Sequence, residues 1–113
     1  MPRSTEIEIQ IQVKRRGLPL LRPAVVQLLR AVQRRGSLRT AAQELEISYQ
    51  TAWTLVSEVN RNAADIVVVK RRGGTHGGGA RLTNYGTMLL SEFERIEKEV
   101  KRFAGRLNSE INF

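Results

Sequence analysis

Residues 36–60 read GSLRTAAQELEISYQTAWTLVSEVN, and the fold turns on this stretch. Two amphipathic helical segments flank a three-residue turn, Glu46-Ile47-Ser48. That spacing is the layout of a helix-turn-helix, in which the second helix reads DNA. Ser37 is placed to cap a helix starting at Leu38, because its hydroxyl accepts an amide proton left unpaired at the helix start. Ala41, Ala42 and Leu45 make a small apolar face that lets a second helix cross closely. Ser48 caps the next helix, in which Ala52, Val56 and Val59 fall at i, i+4 and i+7 and point inward. Ser48, Tyr49, Gln50, Thr51 and Thr54 are left on the outward face. They suit base-edge and phosphate contacts, and Gln50 is the one able to pair with adenine through two hydrogen bonds. Trp53 sits beside Val56 and reads as filler at the edge of the core rather than a stacking platform.

Upstream, EIEIQIQV at residues 6–13 alternates polar and apolar, with Ile7, Ile9, Ile11 and Val13 on one side. This period predicts a β-strand with one buried face over 6–13. Lys14-Arg15-Arg16-Gly17 turns the chain, and Pro19 and Pro23 keep 18–22 out of regular helix until Pro23 occupies a first-turn position. A helix is expected from about Ala24 to Arg35, with Val25, Leu28, Leu29 and Val32 as its stripe and Gly36 as its stop.

Downstream, Ile66-Val67-Val68-Val69 is a β-branched run followed by Lys70-Arg71-Arg72, then GGTHGGGA, then Arg81-Leu82-Thr83. Two short antiparallel strands joined by a glycine-rich loop form a wing over about 66–83. Its glycines let the main chain approach DNA, while Lys70, Arg71, Arg72, Thr75 and His76 supply charge and donors. His76 would either make that contact pH-sensitive or be a surface histidine with no role. Thr83 caps a long helix over 84–113 in which Leu89, Phe93, Ile96, Val100, Phe103 and Leu107 are spaced 4, 3, 4, 3, 4. That is the seam of a coiled coil, here too short to be stable alone, and it predicts dimerisation through this helix.

A chain of 113 residues without cysteine accommodates one domain and one modest core stabilised by packing, without disulfides or thiolate metal sites. No apolar run is long enough for a membrane span, and residues 1–12 lack a signal peptide's apolar block, so a cytoplasmic, nucleoid-associated protein is expected. The formal net charge is +8, and residues 1–83 hold fourteen basic side chains against six acidic. Residues 84–113 are balanced at five each, so charge and motif point to the same part of the chain as the polyanion-binding region. Arginine far outnumbers lysine, which favours bidentate phosphate contact over a merely soluble surface.

Chemistry of other kinds lacks its residues. There is no Gly-x-Ser-x-Gly, no cysteine nucleophile and no carboxylate pair in an apolar setting, so no enzyme is expected. The loop at 73–79 lacks the Gly-Lys-Ser/Thr ending of a phosphate-binding P-loop, and the lone His76 cannot make a metal site, so no cofactor or metal is expected. Glu92, Glu94, Glu97 and Glu99 alternate with Arg95, Lys98, Lys101 and Arg102 and read as solvated, salt-bridging faces.

With helix, turn, helix and wing in order, residues 28–90 resemble the N-terminal DNA-binding domain of the ModE-type molybdate-responsive transcriptional regulators, a winged-helix relative of the LysR family. The resemblance rests on Gly36-Ser37-Leu38 with Ala41-Ala42, Ile47-Ser48-Tyr49 with Ala52-Trp53, Asn60, and Gly73-Gly74 with Gly77-Gly78-Gly79-Ala80 before Leu82-Thr83. It implies that the helix of about 48–60 is the recognition helix, 73–79 the wing tip and the last helix a dimerisation arm. Gln50 stands where the family usually has a basic residue, and Glu46 where it has a turn glycine. Glu46 must then take a left-handed conformation, at about 1 kcal/mol, or reshape the turn. The family's molybdate-binding domains lie beyond the matched region, so none is expected in this chain.

The sequence thus predicts a mainly α fold with a small β-hairpin wing: a winged helix-turn-helix over 1–83 plus a C-terminal dimerisation helix. The function expected is a homodimeric, sequence-specific regulator binding double-stranded DNA, with Arg39, Lys70, Arg71 and Arg72 on phosphates and Gln50, Thr51 and Thr54 reading sequence. Its rivals are a non-specific chromatin-coating or RNA-binding protein and a protein-interaction adaptor built on the same fold.

Overall fold

Pro23 starts the first helix and Gly36 ends it. Helix α1 spans Pro23–Arg35, with proline in the first turn where its missing N–H costs nothing. Gly36 takes the left-handed φ of 66° that closes the helix, its N–H returning to the Val32 carbonyl. Helix α2, Leu38–Glu44, is capped by the Ser37 hydroxyl, which accepts the Thr40 N–H at 3.1 Å. Helix α3, Tyr49–Asn62, is capped in the same way by Ser48 from the Thr51 N–H at 3.0 Å. Between them Glu46 adopts φ 58°, the left-handed alternative of the two open to a non-glycine turn residue, and Ile47 N–H bonds back to Ala42.

The computed structural model describes residues 5–71 and 79–112. Two hairpins accompany the helices. Strand β1, Val13–Arg15, pairs antiparallel with β2, Leu18–Leu21, through the two-residue turn Arg16-Gly17. Both turn residues have positive φ, 54° and 78°, matching the right-handed twist of the strands they join. The strand expected over 6–13 is therefore corrected to 13–15. Residues 5–12 keep the alternation of half-buried isoleucines and exposed polar residues, but among the described residues no strand lies beside them to complete a ladder. Conversely, 18–21 is a strand, because Pro19 opposes Lys14 at a position where β2 need not donate.

The wing pairs β3, Val68–Arg71, with β4, Gly79–Leu82, in the register Val68↔Leu82 to Arg71↔Gly79. Thr83 then caps helix α4, Asn84–Glu110, accepting the Gly86 N–H at 2.9 Å. Glycine is required at 86, since a Cβ there would fall on the Val67 carbonyl oxygen.

The core lies where α1, α2 and α3 meet β2, the wing base and the start of α4. Leu21, Leu28, Leu29, Leu38, Val59 and Leu90 are wholly buried there. Helix α4 divides its apolar stripe. Phe93 turns into the chain's own core, which removes it from the exposed seam expected of 89–107; Leu89 packs partly against that core. Ile96 and Phe103 stay exposed, at 38% and 45%. Glu94 and Glu97, expected on solvated faces, instead receive hydrogen bonds from Arg30 of α1 at 3.2 and 2.7 Å and dock α4 on the domain. The Glu92–Arg95 pair is solvated as expected.

Candidate nucleic-acid interface

The first turns of α3 present Ser48, Gln50, Thr51 and Thr54 to solvent, with Tyr49 and Trp53 half-buried between them. Three of the hydroxyls are already occupied. The Ser48 hydroxyl donates to Thr51 Oγ1 at 2.8 Å, and Thr54 Oγ1 donates to the Gln50 carbonyl at 3.1 Å. Among the described residues the Gln50 carboxamide has no such partner, which leaves it the freest donor–acceptor group on this face.

Two cations stand over the aromatics of α3. The Arg39 guanidinium, from α2, lies 4.4 Å from the centroid of the Tyr49 ring, and the Lys70 ammonium, from β3, lies 4.6 Å from that of Trp53. The two rings meet edge to face, 6.2 Å between centroids and 87° between planes. A row Arg39–Tyr49–Trp53–Lys70 therefore crosses from the helix-turn-helix to the wing, each cation attracted to a ring face at about 0.5–1 kcal/mol where exposed. The row holds both charges beside the exposed face of α3. The Arg71 guanidinium reaches to within 3.9 Å of the Cβ position at Gly36, over the α1–α2 turn.

The wing is tied to this surface by its main chain. The Asn60 Oδ1 accepts the amides of Val67 and Val68 at 2.9 and 3.1 Å, while its Nδ2 donates to the Val68 carbonyl at 3.0 Å. Ala80 N–H donates to the Gly36 carbonyl at 3.2 Å, and Ser37 bridges to Gly79. Below, buried Asn62 donates from Nδ2 to Pro19 at 2.7 Å and holds the end of α3 on the first hairpin.

Ion pairing sorts the basic residues. Arg22 clamps Glu58 through two hydrogen bonds of 2.9 Å, joining the start of α1 to α3. That clamp holds the Glu58 carboxyl below the usual carboxylate range and raises the Arg22 guanidinium above its own ordinary value. Arg35 and Arg34 both bond Glu44, lowering its carboxyl and locking α1 to α2. Arg39, Lys70 and Arg71 have no carboxylate partner among the described residues, so their charge remains available to a polyanion.

The structure thus brings Arg39, Ser48, Tyr49, Gln50, Thr51, Thr54 and Lys70 together around the start of α3, while Arg71, the next residue of β3, reaches toward the α1–α2 turn. Arg72, Thr75 and His76 lie outside the described residues. Sequence reasoning missed Trp53 as a support for Lys70, and Asn60 as the wing's anchor. The i, i+4 spacing of Tyr49 and Trp53 was visible, but Lys70 comes to Trp53 only through the tertiary fold. No group of three or more metal-ligating side chains is found among the described residues, and none of their helices is long and apolar enough to cross a membrane.

No family model matches the chain. Among curated proteins it is 34% identical over 87 residues to the molybdenum transport protein ModE of Azotobacter vinelandii, covering 77% of this chain and 32% of that protein. To the DNA-binding transcriptional dual regulator ModE of Escherichia coli K12 it is 33% identical over 91 residues, covering 80% of this chain and 35% of that one. The chain therefore spans about a third of the length of the curated relatives it matches. Among solved structures, the DNA-binding domain of CbnR, solved as a complex with DNA, superposes with a TM-score of 0.64 at 18% identity, covering 80% of this chain and 98% of that one. That likeness establishes the winged helix-turn-helix fold.

Proposed function

We propose, from the homology of this chain to part of the ModE-type transcriptional regulators, that it is the DNA-binding unit of a sequence-specific regulator that acts as a homodimer. The observation that carries this reading is the uncovered polar face of α3, flanked on both sides by cations that rest on its own aromatic rings and have no carboxylate partner among the described residues. Helix α3 enters the major groove, and the β3–β4 wing lies against the backbone or the minor groove. Arg39, Lys70 and Arg71 contact phosphates and set the register on the duplex; Gln50 reads a base edge. Thr51 and Thr54 contribute less than their position suggests, because their hydroxyls are engaged within the helix.

Dimerisation runs through α4, with Ile96 and Phe103 at its centre and Leu89, Val100 and Leu107 beside them; Phe93 is excluded by its burial. Two recognition helices then meet an inverted repeat whose half-sites are about 34–36 Å apart or a multiple of that. The work of such a protein is promoter occupancy on the nucleoid in the cytoplasm. The matched Escherichia coli relative is a DNA-binding transcriptional dual regulator, which supports this reading.

The test is selection from randomised duplex DNA followed by sequencing, at two salt concentrations. Enrichment of a palindrome supports a dimeric, sequence-specific regulator. Tight, salt-sensitive binding without enrichment replaces it with an architectural coat. Absence of binding overturns both and leaves a protein-interaction role.

A further inference from the structure

Residues 5–12 have the pattern of a strand and the surroundings of half of one. Ile7 donates its N–H to Asn108 Oδ1 at 2.6 Å and accepts from Asn108 Nδ2 at 3.0 Å, so one edge of the segment is pinned to the end of α4. Ile7, Ile9 and Ile11 line a cleft of about 440 Å³ together with Val26, Phe93 and Val100, and remain half-exposed in it.

The opposite edge is open. In an extended chain the main-chain groups of alternate residues point to opposite sides. If the odd-numbered residues face Asn108 and then β2, the even-numbered ones, Glu6, Glu8, Gln10 and Gln12, face away. Lys14 continues that edge, since it opposes Pro19, which has no N–H to share. Among the described residues the main-chain groups of Glu6, Glu8 and Gln10 have no hydrogen-bond partner, and on the other edge only Ile7 is tied down, those of Ile9 and Ile11 being unpaired as well. Proline and lysine, which commonly keep a free strand edge from pairing, are absent from 5–13.

The segment is also complementary to itself. Turned antiparallel about Gln10, it sets Glu6 against Lys14 and Glu8 against Gln12 on the solvent face. On the apolar face the same register sets Ile7 against Val13 and Ile9 against Ile11. Centring on Ile9 removes the ion pair. Centring on Ile11 sets Glu8 against Lys14, but it places Ile7 opposite Arg15 on the apolar face and brings Glu6 against Arg16, which lies in the β1–β2 turn beyond the strand. A slip to pairing of odd with even residues turns the isoleucines to water.

We infer that residues 5–15 pair antiparallel, centred on Gln10, with the same segment of a second copy of this chain, joining two β1–β2 hairpins into one four-stranded sheet across a two-fold axis. This rests on the homodimer reading and adds to the short α4 seam the second contact that a seam of under three heptads needs.

The chain has no cysteine, which makes the register directly testable. In the full chain, Gln10→Cys stands opposite its own copy at a Cα separation of about 5.5 Å, inside the range a disulfide spans. Mild oxidation should shift this variant to a linked dimer, while Ser91→Cys, exposed on α4 away from the seam, stays largely monomeric on a non-reducing gel. Mixed Glu6→Cys and Lys14→Cys should link to each other in preference to themselves. By sedimentation, Glu6→Lys should weaken the dimer, and adding Lys14→Glu should restore it. Linking of Gln10→Cys no faster than Ser91→Cys, or failure of the charge swap to rescue, overturns the proposal. DNA titration of the same variants separates the two claims. A dimer that binds DNA without the register-specific link leaves the regulator standing and the strand pairing refuted; a register-specific link without DNA binding does the reverse.

Discussion

Asn60 pairs with the main chain of Val68 in both directions, its Nδ2 donating to the carbonyl at 3.0 Å and its Oδ1 accepting the amide at 3.1 Å. The carboxamide thus stands where a neighbouring strand would be. It fixes the position of β3 against α3, and with it the distance between α3 and Lys70.

Asn60→Ala should therefore destabilise the fold by about 2–3 kcal/mol, since it leaves the Val67 and Val68 amides and the Val68 carbonyl without their partner. Asn60→Asp keeps the acceptor and loses the donor, so it should cost less. Urea unfolding of the two variants checks the order, and equal losses would mean that the accepted bonds contribute nothing.

Gly86→Ala introduces a methyl group onto the Val67 carbonyl, which is main chain and cannot rotate away. A loss of about 1–3 kcal/mol is expected, with α4 displaced at its start. The comparison is Gly105→Ala, where a Cβ meets nothing within 4 Å and helix propensity alone should stabilise by up to about 1 kcal/mol. Thermal melts of both proteins decide the point.

On DNA, Lys70→Ala and Arg39→Ala should each weaken binding to all sequences alike and reduce the salt dependence by about one phosphate contact. Gln50→Ala should relax preference at one base position by about 1–3 kcal/mol while leaving the salt slope unchanged. Thr54→Ala should alter specificity less, its hydroxyl being bonded to Gln50's carbonyl. Titrations against the selected site and its single-base variants, at several salt concentrations, separate these effects.

Trp53→Leu removes the ring beneath Lys70. Binding should weaken, and the effect should largely vanish in a Lys70→Ala background, with a coupling of about 0.5–1 kcal/mol. Trp53→Phe should retain part of it. Additive losses in the double mutant would show that Trp53 acts only through the core.

Acid stability depends on the Arg22–Glu58 clamp. Hydrogen bonding to Arg22 lowers the folded-state pKa of Glu58, so its stabilisation is complete above the ordinary glutamate value and is lost as pH falls through the lowered one. Glu58→Gln should cost about 1 kcal/mol at neutral pH, and the difference from the parent chain should shrink below about pH 4. A constant gap from pH 7 to pH 3 in chemical unfolding would exclude the clamp as its source.

The elements whose signals are local were legible in the sequence. Ser37, Ser48 and Thr83 cap the helices they were expected to cap, Gly36 ends α1, and Glu46 takes one of the two conformations its turn permits. Periodicity and capping act over one or two turns of chain, so a linear reading captures them. The outward face of α3 follows from the same period. What the alternation at 6–13 could not contain was a partner strand, because pairing is decided by which elements pack together; hence the ladder is confined to 13–15. The same holds for Phe93, claimed by the core rather than the seam, and for Glu94 and Glu97, drawn to Arg30 some sixty residues away. Trp53 and Lys70 are separate features in one dimension. They become a single cation–aromatic pair only when Asn60 holds β3 back onto α3, a placement set by long-range packing and hydrogen bonds to the main chain.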